Sequence, residues 1–339
     1  MPLPEDAYAQ LAPDLRMCRL LNGMWQVSGA HGPIDPVAAV SSMVAHLDAG
    51  FTTWDLADHY GPAEDFVGEF RRRVAATRGA TALDGLLAFT KWVPRPGPMT
   101  RQVVETAIEV SRRRMGVAAI DLLQFHWWDY GDERYLDALG HLAELQGARL
   151  IRHLALTNFD TAHVEAILAH GIAVASNQVQ YSLVDLRPDV RMAPFCHASG
   201  VGLLAYGTLC GGLLSDRYFG RPEPSWAELN TASLHKYKQM IDAWGGWPLF
   251  QELLTVLSGV ADRHGVSIAN VAVRAILDRP AVAGVIVGVR LGASEHLADN
   301  ARVFGFGLDD DDHHRIQAVV SKGRDLYQLI GDCGDEYRR

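Results

Sequence analysis

The stretch Phe51-Thr52-Thr53-Trp54-Asp55-Leu56-Ala57-Asp58-His59-Tyr60-Gly61 reads as a buried strand that runs into a tight, polar loop. Asp55 falls where the strand should end, and a phenol, Tyr60, follows five residues later. Two downstream stretches repeat the pattern of an apolar run closing on one ionisable residue. They are Leu86-Leu87-Ala88-Phe89-Thr90-Lys91 and Ile120-Asp121-Leu122-Leu123-Gln124-Phe125-His126. Short apolar runs of this kind suit parallel strands buried on both faces. Asp, Tyr, Lys and His are therefore expected on one rim.

Working outward, strands are expected at 20–27, 51–56, 86–89, 120–125, 152–156, 173–178, 201–206 and 282–287. Helical patterns separate them. Asp35-Pro36 opens one that runs to Asp48, with Gly50 just past its end, and Thr100 opens another that runs to Met115. Eight strands alternating with helices specify a single closed (β/α)8 barrel domain over residues 1–339, the TIM-barrel architecture, whose core unit takes about 250 residues. The surplus falls in an N-terminal hairpin within the first nineteen residues, a loop insertion at 209–246, an extra helix at 309–321 and a C-terminal tail at 322–339. The rival architecture, a doubly wound open sheet, would place a glycine-rich phosphate turn after its first strand. The chain contains neither GxGxxG nor GxxxxGK[ST].

With 339 residues and 48% hydrophobic content the chain can bury a large core. A net charge of -9 argues against nucleic acid or an anionic membrane as partner, because no phosphate-neutralising surface is implied. The four cysteines, Cys18, Cys196, Cys210 and Cys333, have no ligand or disulfide spacing. With no signal-peptide pattern and no membrane-length apolar run, a soluble protein in a reducing cytoplasm is expected. Oligomeric state is not encoded in any pattern we recognise. Asp309 to Asp312 with His313 and His314 reads as a solvated helix start, the acids favoured by the helix dipole, and no metal is expected.

In a (β/α)8 barrel the site lies at the C-terminal strand ends, where Asp55, Lys91 and His126 fall, with Tyr60 in the loop just after. A phenol is a poor acid at neutral pH unless its anion is stabilised, and a lysine ammonium beside it supplies that stabilisation. Asp55 has the natural task of holding Lys91 charged and oriented. His126 can place a substrate oxygen or relay a proton. Together they form a proton donor aimed at an oxygen on which negative charge develops. Lys91 is one of four lysines, with Lys236, Lys238 and Lys322, among 31 basic residues.

At these residues the sequence resembles the aldo-keto reductase superfamily. Asp55-Leu56-Ala57-Asp58-His59-Tyr60-Gly61 resembles the family's D-x-A-x-x-Y-G, and Lys91 and His126 match its catalytic lysine and histidine. The resemblance covers residues from about 20 to 305. It implies an oxidoreductase that reduces an aldehyde or ketone, or oxidises the alcohol, with Tyr60 as proton donor. It also implies NADP(H), with NAD(H) possible. Thr157-Asn158-Phe159 and Gln178 resemble the family's residues for the nicotinamide carboxamide, and Tyr206 its ring-stacking aromatic, with Gly207 where the family commonly has Ser. Gly211 to Arg217, including Leu213, Asp216 and Arg217, resembles the pyrophosphate-covering segment. Gly288, Arg290, Asp299 and Asn300 resemble the adenosine site, where a guanidinium suits a 2′-phosphate, though His296 and Asp299 depart from the common residues.

Trp25, Trp92, Trp127 and Trp128 fall at or just past strand ends. Trp25, Trp92 and Trp127 are assigned to a substrate pocket. The segment 209–246 reads as a lid or an oligomer contact. The tail from Gly331 either covers the pocket, as such loops do in the family, or is disordered. Two other functional classes remain: a Schiff-base lyase using Lys91, and an NADPH-holding module that reports redox state to a protein partner.

Overall fold

Eight parallel strands close into a barrel in the computed structural model, which describes residues 3–338. A preceding hairpin, β1 (Tyr8–Ala12) and β2 (Leu15–Cys18), pairs antiparallel and stands apart as a two-stranded sheet. The barrel strands are β3 (Leu20–Gly23), β4 (Thr53–Asp55), β5 (Leu87–Trp92), β6 (Ile120–Phe125), β7 (Ile151–Thr157), β8 (Ser176–Gln180), β9 (Gly202–Tyr206) and β10 (Val282–Gly288). Each pairs with its sequence neighbours, and β10 pairs with β3 to close the ring.

The two-residue period of each strand sorts its side chains between barrel interior and helical layer. On β5, Leu87 and Phe89 join the interior apolar cluster and Lys91 follows them inward. Ala88 and Trp92 lie in the outer core, and Thr90 bonds Glu64 of the helix Ala63–Arg78. On β6, Leu122 points in with Gln124 and His126 above it, while Leu123 and Phe125 pack outward. The interior is therefore layered. Its lower end is apolar, plugged by Leu11, Leu15 and Met17 of the hairpin against Leu21, Leu87, Phe89, Leu122 and Leu204. Its upper end is polar.

Helix starts follow the expected capping chemistry. The Asp35 side chain accepts from Ala38 N, Thr100 from Val103 N, Asp160 from His163 N and Ser267 from Asn270 N. The four acids at 309–312 have a similar explanation. Asp309 and Asp312 form a capping box, and Asp312 also binds His264 and Arg263.

Three expectations need correction. The strand expected at 20–27 stops at Gly23, because Met24 N turns to donate to Asp55 O and Trp25–Val27 forms a 3-10 turn. The strand expected at 173–178 is shifted to 176–180. The insertion at 209–246 is not all loop, since Ala232–Trp244 is a helix capped by Thr231. Its buried Tyr237, Met240, Ile241 and Trp244 form a helical stripe against the helices Gly246–His264 and Ile268–Leu277, building a second apolar core beside the barrel. The described part of the tail, to Arg338, folds back onto the body of the protein. Its 3-10 turn Asp335–Tyr337 returns over the barrel, where Glu336 pairs with the buried Arg187 at 2.9 Å.

The hairpin plug makes a stability prediction. Leu15→Ala, at a fully buried position, is expected to cost about 2–5 kcal/mol, whereas Val37→Ala at an exposed helical position should stay within about 0.5 kcal/mol. Urea midpoints of the two variants against the parent chain test this, and equal midpoints would rule out a closing role for the plug.

Candidate active site

Four barrel strands each send one polar side chain into the upper interior, and these side chains satisfy one another. Asp55 Oδ1 accepts from Lys91 Nζ at 2.6 Å, and Asp55 Oδ2 accepts from Gln124 Nε2 at 2.9 Å and Gln178 Nε2 at 2.7 Å. Gln178 Nε2 also donates to Gln124 Oε1 at 2.6 Å, and Lys91 Nζ to Leu56 O at 3.0 Å. Lys91 and Asp55 are almost fully buried, so their pairing sets whether either charge is tolerated.

Tyr60 is brought over this pair by a tight turn. Leu56 N and Asp58 N bond to Phe89 O and Lys91 O, and Tyr60 N closes on Ala57 O. Gly61 then takes a φ of +55°, a left-handed conformation that costs a glycine little. The Tyr60 ring centre lies 5.1 Å from Lys91 Nζ. Burial, and next the Asp55 carboxylate, push the phenol well above its usual range, while burial pulls the Lys91 ammonium below its own. At rest the proton is on Tyr60.

His126 Nδ1 lies 3.1 Å from Thr157 O. A carbonyl only accepts, so Nδ1 carries the imidazole proton and Nε2 presents a lone pair. That Nε2 is buried without a hydrogen-bond partner among the described residues. Burial lowers the His126 pKa to about 4, so the ring is neutral at physiological pH.

A cavity of about 790 Å³ opens above these groups. Asp55, Tyr60, Lys91, His126, Thr157, Asn158, Gln178, Tyr206, Asp216, Arg217, Gly288, Arg290, Asp299 and Asn300 all line it, as does Trp25. Leu213 does not. Its side chain is fully buried in the second apolar core. Trp92 and Trp127 are also misplaced by the sequence reading. Each is one residue past an inward-facing Lys91 or His126, so strand alternation turns it outward, where both pack on Phe125. Trp128, one further on, lines the cavity with its ring 4.3 Å from that of His126.

The far end of the cavity fits an anionic cofactor. Arg217 and Arg290 are exposed there and have no carboxylate within ion-pair distance among the described residues; Arg290 makes only a 3.4 Å bond to His31 O. Asp216 and Asp299 are engaged internally. Asp216 accepts from Ile268 N, and Asp299 accepts from Ser267 Oγ and Asn270 Nδ2. Both donors of Gln178 are spent on Asp55 and Gln124, leaving its carbonyl oxygen for an incoming amide. Asn158, held at a φ of +59°, accepts from Tyr206 Oη, leaving its amide hydrogens. Gly207, at a φ of +72°, has a local cause: a Cβ there would lie 2.4 Å from Tyr237 Oη.

Sequence reasoning missed Gln124 and Lys236, and named Trp128 and the tail that carries Tyr337 near the pocket without assigning either residue to it. Gln124 and Trp128 share the strand parity of His126 and were recoverable from it. Lys236 and Tyr337 reach the cavity from the insertion helix and the tail, which no barrel periodicity describes.

The buried pair generates a second prediction. Asp55→Asn leaves the Lys91 ammonium without its carboxylate and is expected to cost about 3–5 kcal/mol of stability, most of it regained in the double variant Asp55→Asn/Lys91→Met. Chemical denaturation of the three proteins decides it; additive losses would show that the two groups are not coupled.

The model of the Aldo/keto reductase family matches residues 19–321. The aldo-keto reductase YhdN of Bacillus subtilis is 28% identical, over 88% of this chain and 88% of its own. An L-glyceraldehyde 3-phosphate reductase of Escherichia coli is 25% identical over 94% and 93% of the two chains. The flagellar radial spoke protein 5 of Chlamydomonas reinhardtii is 28% identical, but the match spans only 49% of that protein. A solved glycerol dehydrogenase from Gluconobacter oxydans superposes with a TM-score of 0.76 at 23% identity, covering 94% of this chain and 96% of that one, which shows the shared fold. The chain belongs to the aldo/keto reductase family and is an oxidoreductase of the nicotinamide-dependent kind.

Proposed function

We propose that this protein is an NADP(H)-dependent reductase of an aldehyde or ketone, or an oxidant of the corresponding alcohol by the reverse reaction, with Tyr60 as the proton donor. The observation that carries the reading is the convergence of Tyr60, the Lys91–Asp55 pair and the open Nε2 of His126 on one cavity. Thr157, Asn158 and Gln178 would hold the nicotinamide carboxamide, Tyr206 its ring, Arg217 the pyrophosphate and Arg290 a 2′-phosphate. Bound there, the nicotinamide supplies or accepts the hydride.

The chain's own groups handle the proton. Tyr60, protonated at rest, gives its proton to the carbonyl oxygen as negative charge builds there. The Lys91 ammonium stabilises the phenolate left behind, and Asp55 keeps that ammonium charged and aimed. Solvent then restores the Tyr60 proton. His126 acts differently from the expectation that it orients the carbonyl. Its Nε2 lone pair cannot donate to a carbonyl oxygen, but it can accept from the hydroxyl of the alcohol, holding product in reduction and substrate in oxidation. The Schiff-base alternative would need a free, neutral amine, and Lys91 Nζ is engaged by Asp55 and Leu56 O.

Tyr60→Phe is expected to leave NADPH binding, read by quenching of tryptophan fluorescence, within a few-fold of the parent while carbonyl turnover at 340 nm falls by at least about 100-fold. Retained turnover would sink the assignment. Arg290→Ala should weaken NADPH by roughly ten-fold or more and leave NADH little changed, because a charge-assisted guanidinium–phosphate contact is lost only with the former. An equal effect on both would move the 2′-phosphate elsewhere.

A further inference from the structure

Three of the four lysines are saturated by carboxylates. Lys91 pairs with Asp55, Lys238 with Asp242 and Glu223, and Lys322 with Glu252. Lys236 is different. Its half-buried side chain lines the active-site cavity, and among the described residues no carboxylate lies within ion-pair distance of it. Its ammonium donates to Tyr337 Oη and stands 5.0, 5.4 and 4.7 Å from the ring centres of Tyr206, Tyr237 and Tyr337. Ring faces attract a cation without neutralising it. An ammonium has three hydrogens, and one is committed to Tyr337.

The other charged groups nearby make no ion pair with Lys236 among the described residues. Glu336, next to Tyr337, shares the Arg187 guanidinium with Asp185, and despite burial Arg187 and then Lys236 hold its carboxyl below the usual range. Arg338 donates to Trp127 O and Asn158 O and lies 3.9 Å above the Tyr130 ring. These contacts hold the tail in place, and with it the hydroxyl that orients Lys236. The result is an oriented positive charge facing the cavity.

Its distance from the reacting groups sets the size of what it can bind. The Tyr337 ring centre is 4.7 Å from Lys236 Nζ and 6.2 Å from the centre of the His126 ring, so the two groups lie within about 11 Å of each other. Contacts of about 3 Å at either end, along the line between the two groups, leave roughly 5 Å, the span of a three- or four-carbon chain. We infer that Lys236 anchors a carboxylate or phosphate carried by a short carbonyl substrate, whose oxygen then accepts from Tyr60 and, once reduced to the hydroxyl, donates to His126. This rests on the reductase reading given above and narrows it to anionic substrates.

The test uses two matched pairs, succinic semialdehyde against butanal and glyceraldehyde 3-phosphate against glyceraldehyde, with the full-length protein, NADPH and the variants Lys236→Met and Lys236→Arg. The wild type is expected to favour the charged member of at least one pair by ten-fold or more in kcat/KM, and the pair that responds tells carboxylate from phosphate. Lys236→Met should raise KM for that member by about ten-fold or more at nearly constant kcat, collapsing the charged-to-neutral ratio, and Lys236→Arg should restore most of it. Absence of charge preference in the wild type, or equal losses on both members, overturns the anchor while the reductase stands. A loss confined to the NADPH dissociation constant would overturn it in favour of a cofactor contact. Failure of the wild type to reduce any of the four compounds with NADPH bound would count against the reductase reading itself, and the anchor would fall with it.

Discussion

The Asp55–Lys91 pair constrains everything built above it. Taking both charges out of water inside a barrel costs several kcal/mol per ion unless every remaining donor and acceptor is met. Here Asp55 receives Lys91, Gln124 and Gln178, and Lys91 also reaches Leu56 O. The partners come from β4, β5, β6 and β8, so the charge pair exists only in the closed barrel. The apolar plug beneath it keeps water from entering at the other end, which raises the strength of these contacts and equally the cost of breaking one.

Above the polar layer, the cavity wall comes from segments that are not part of the barrel repeat. The loop after β3 reaches the insertion helix through His31 Nε2 and Ser233 Oγ at 2.8 Å, and Arg290 reaches the same loop at His31 O. The tail crosses from the other side, pinned by Arg187 and by the carbonyls of Trp127 and Asn158. Asn158 is thus gripped on two sides, by Arg338 at its carbonyl and by Tyr206 at its side chain. A side chain expected to bind the nicotinamide is thereby positioned by the last residues of the chain.

Packing also accounts for two features that stand out when only the sequence is in view. Gly207 replaces a more usual serine because Tyr237 of the insertion occupies the space a side chain would need. The acidic run at 309–312 is a helix cap that also binds Arg263 and His264. Gly207 is explained by a neighbour distant in sequence, and the acidic run by its own capping box together with two such neighbours.

The eight-strand order and the inward placement of Asp55, Lys91 and His126 were determined by the sequence alone, because apolar runs bounded by capping residues report strand and helix locally. Strand parity was legible too. Applied from Lys91 and His126 it turns Trp92 and Trp127 outward and Trp128 inward, and it selects Gln124 as well. What only the tertiary structure decided is which groups outside the repeat share the cavity. Lys236 and Tyr337 lie 101 residues apart, and the tyrosine orients the lysine because the Arg187–Glu336 pair and the Arg338 contacts pin the tail beside the insertion helix. Local periodicity carries no information about such a meeting, since it depends on how two separately formed segments pack on a third.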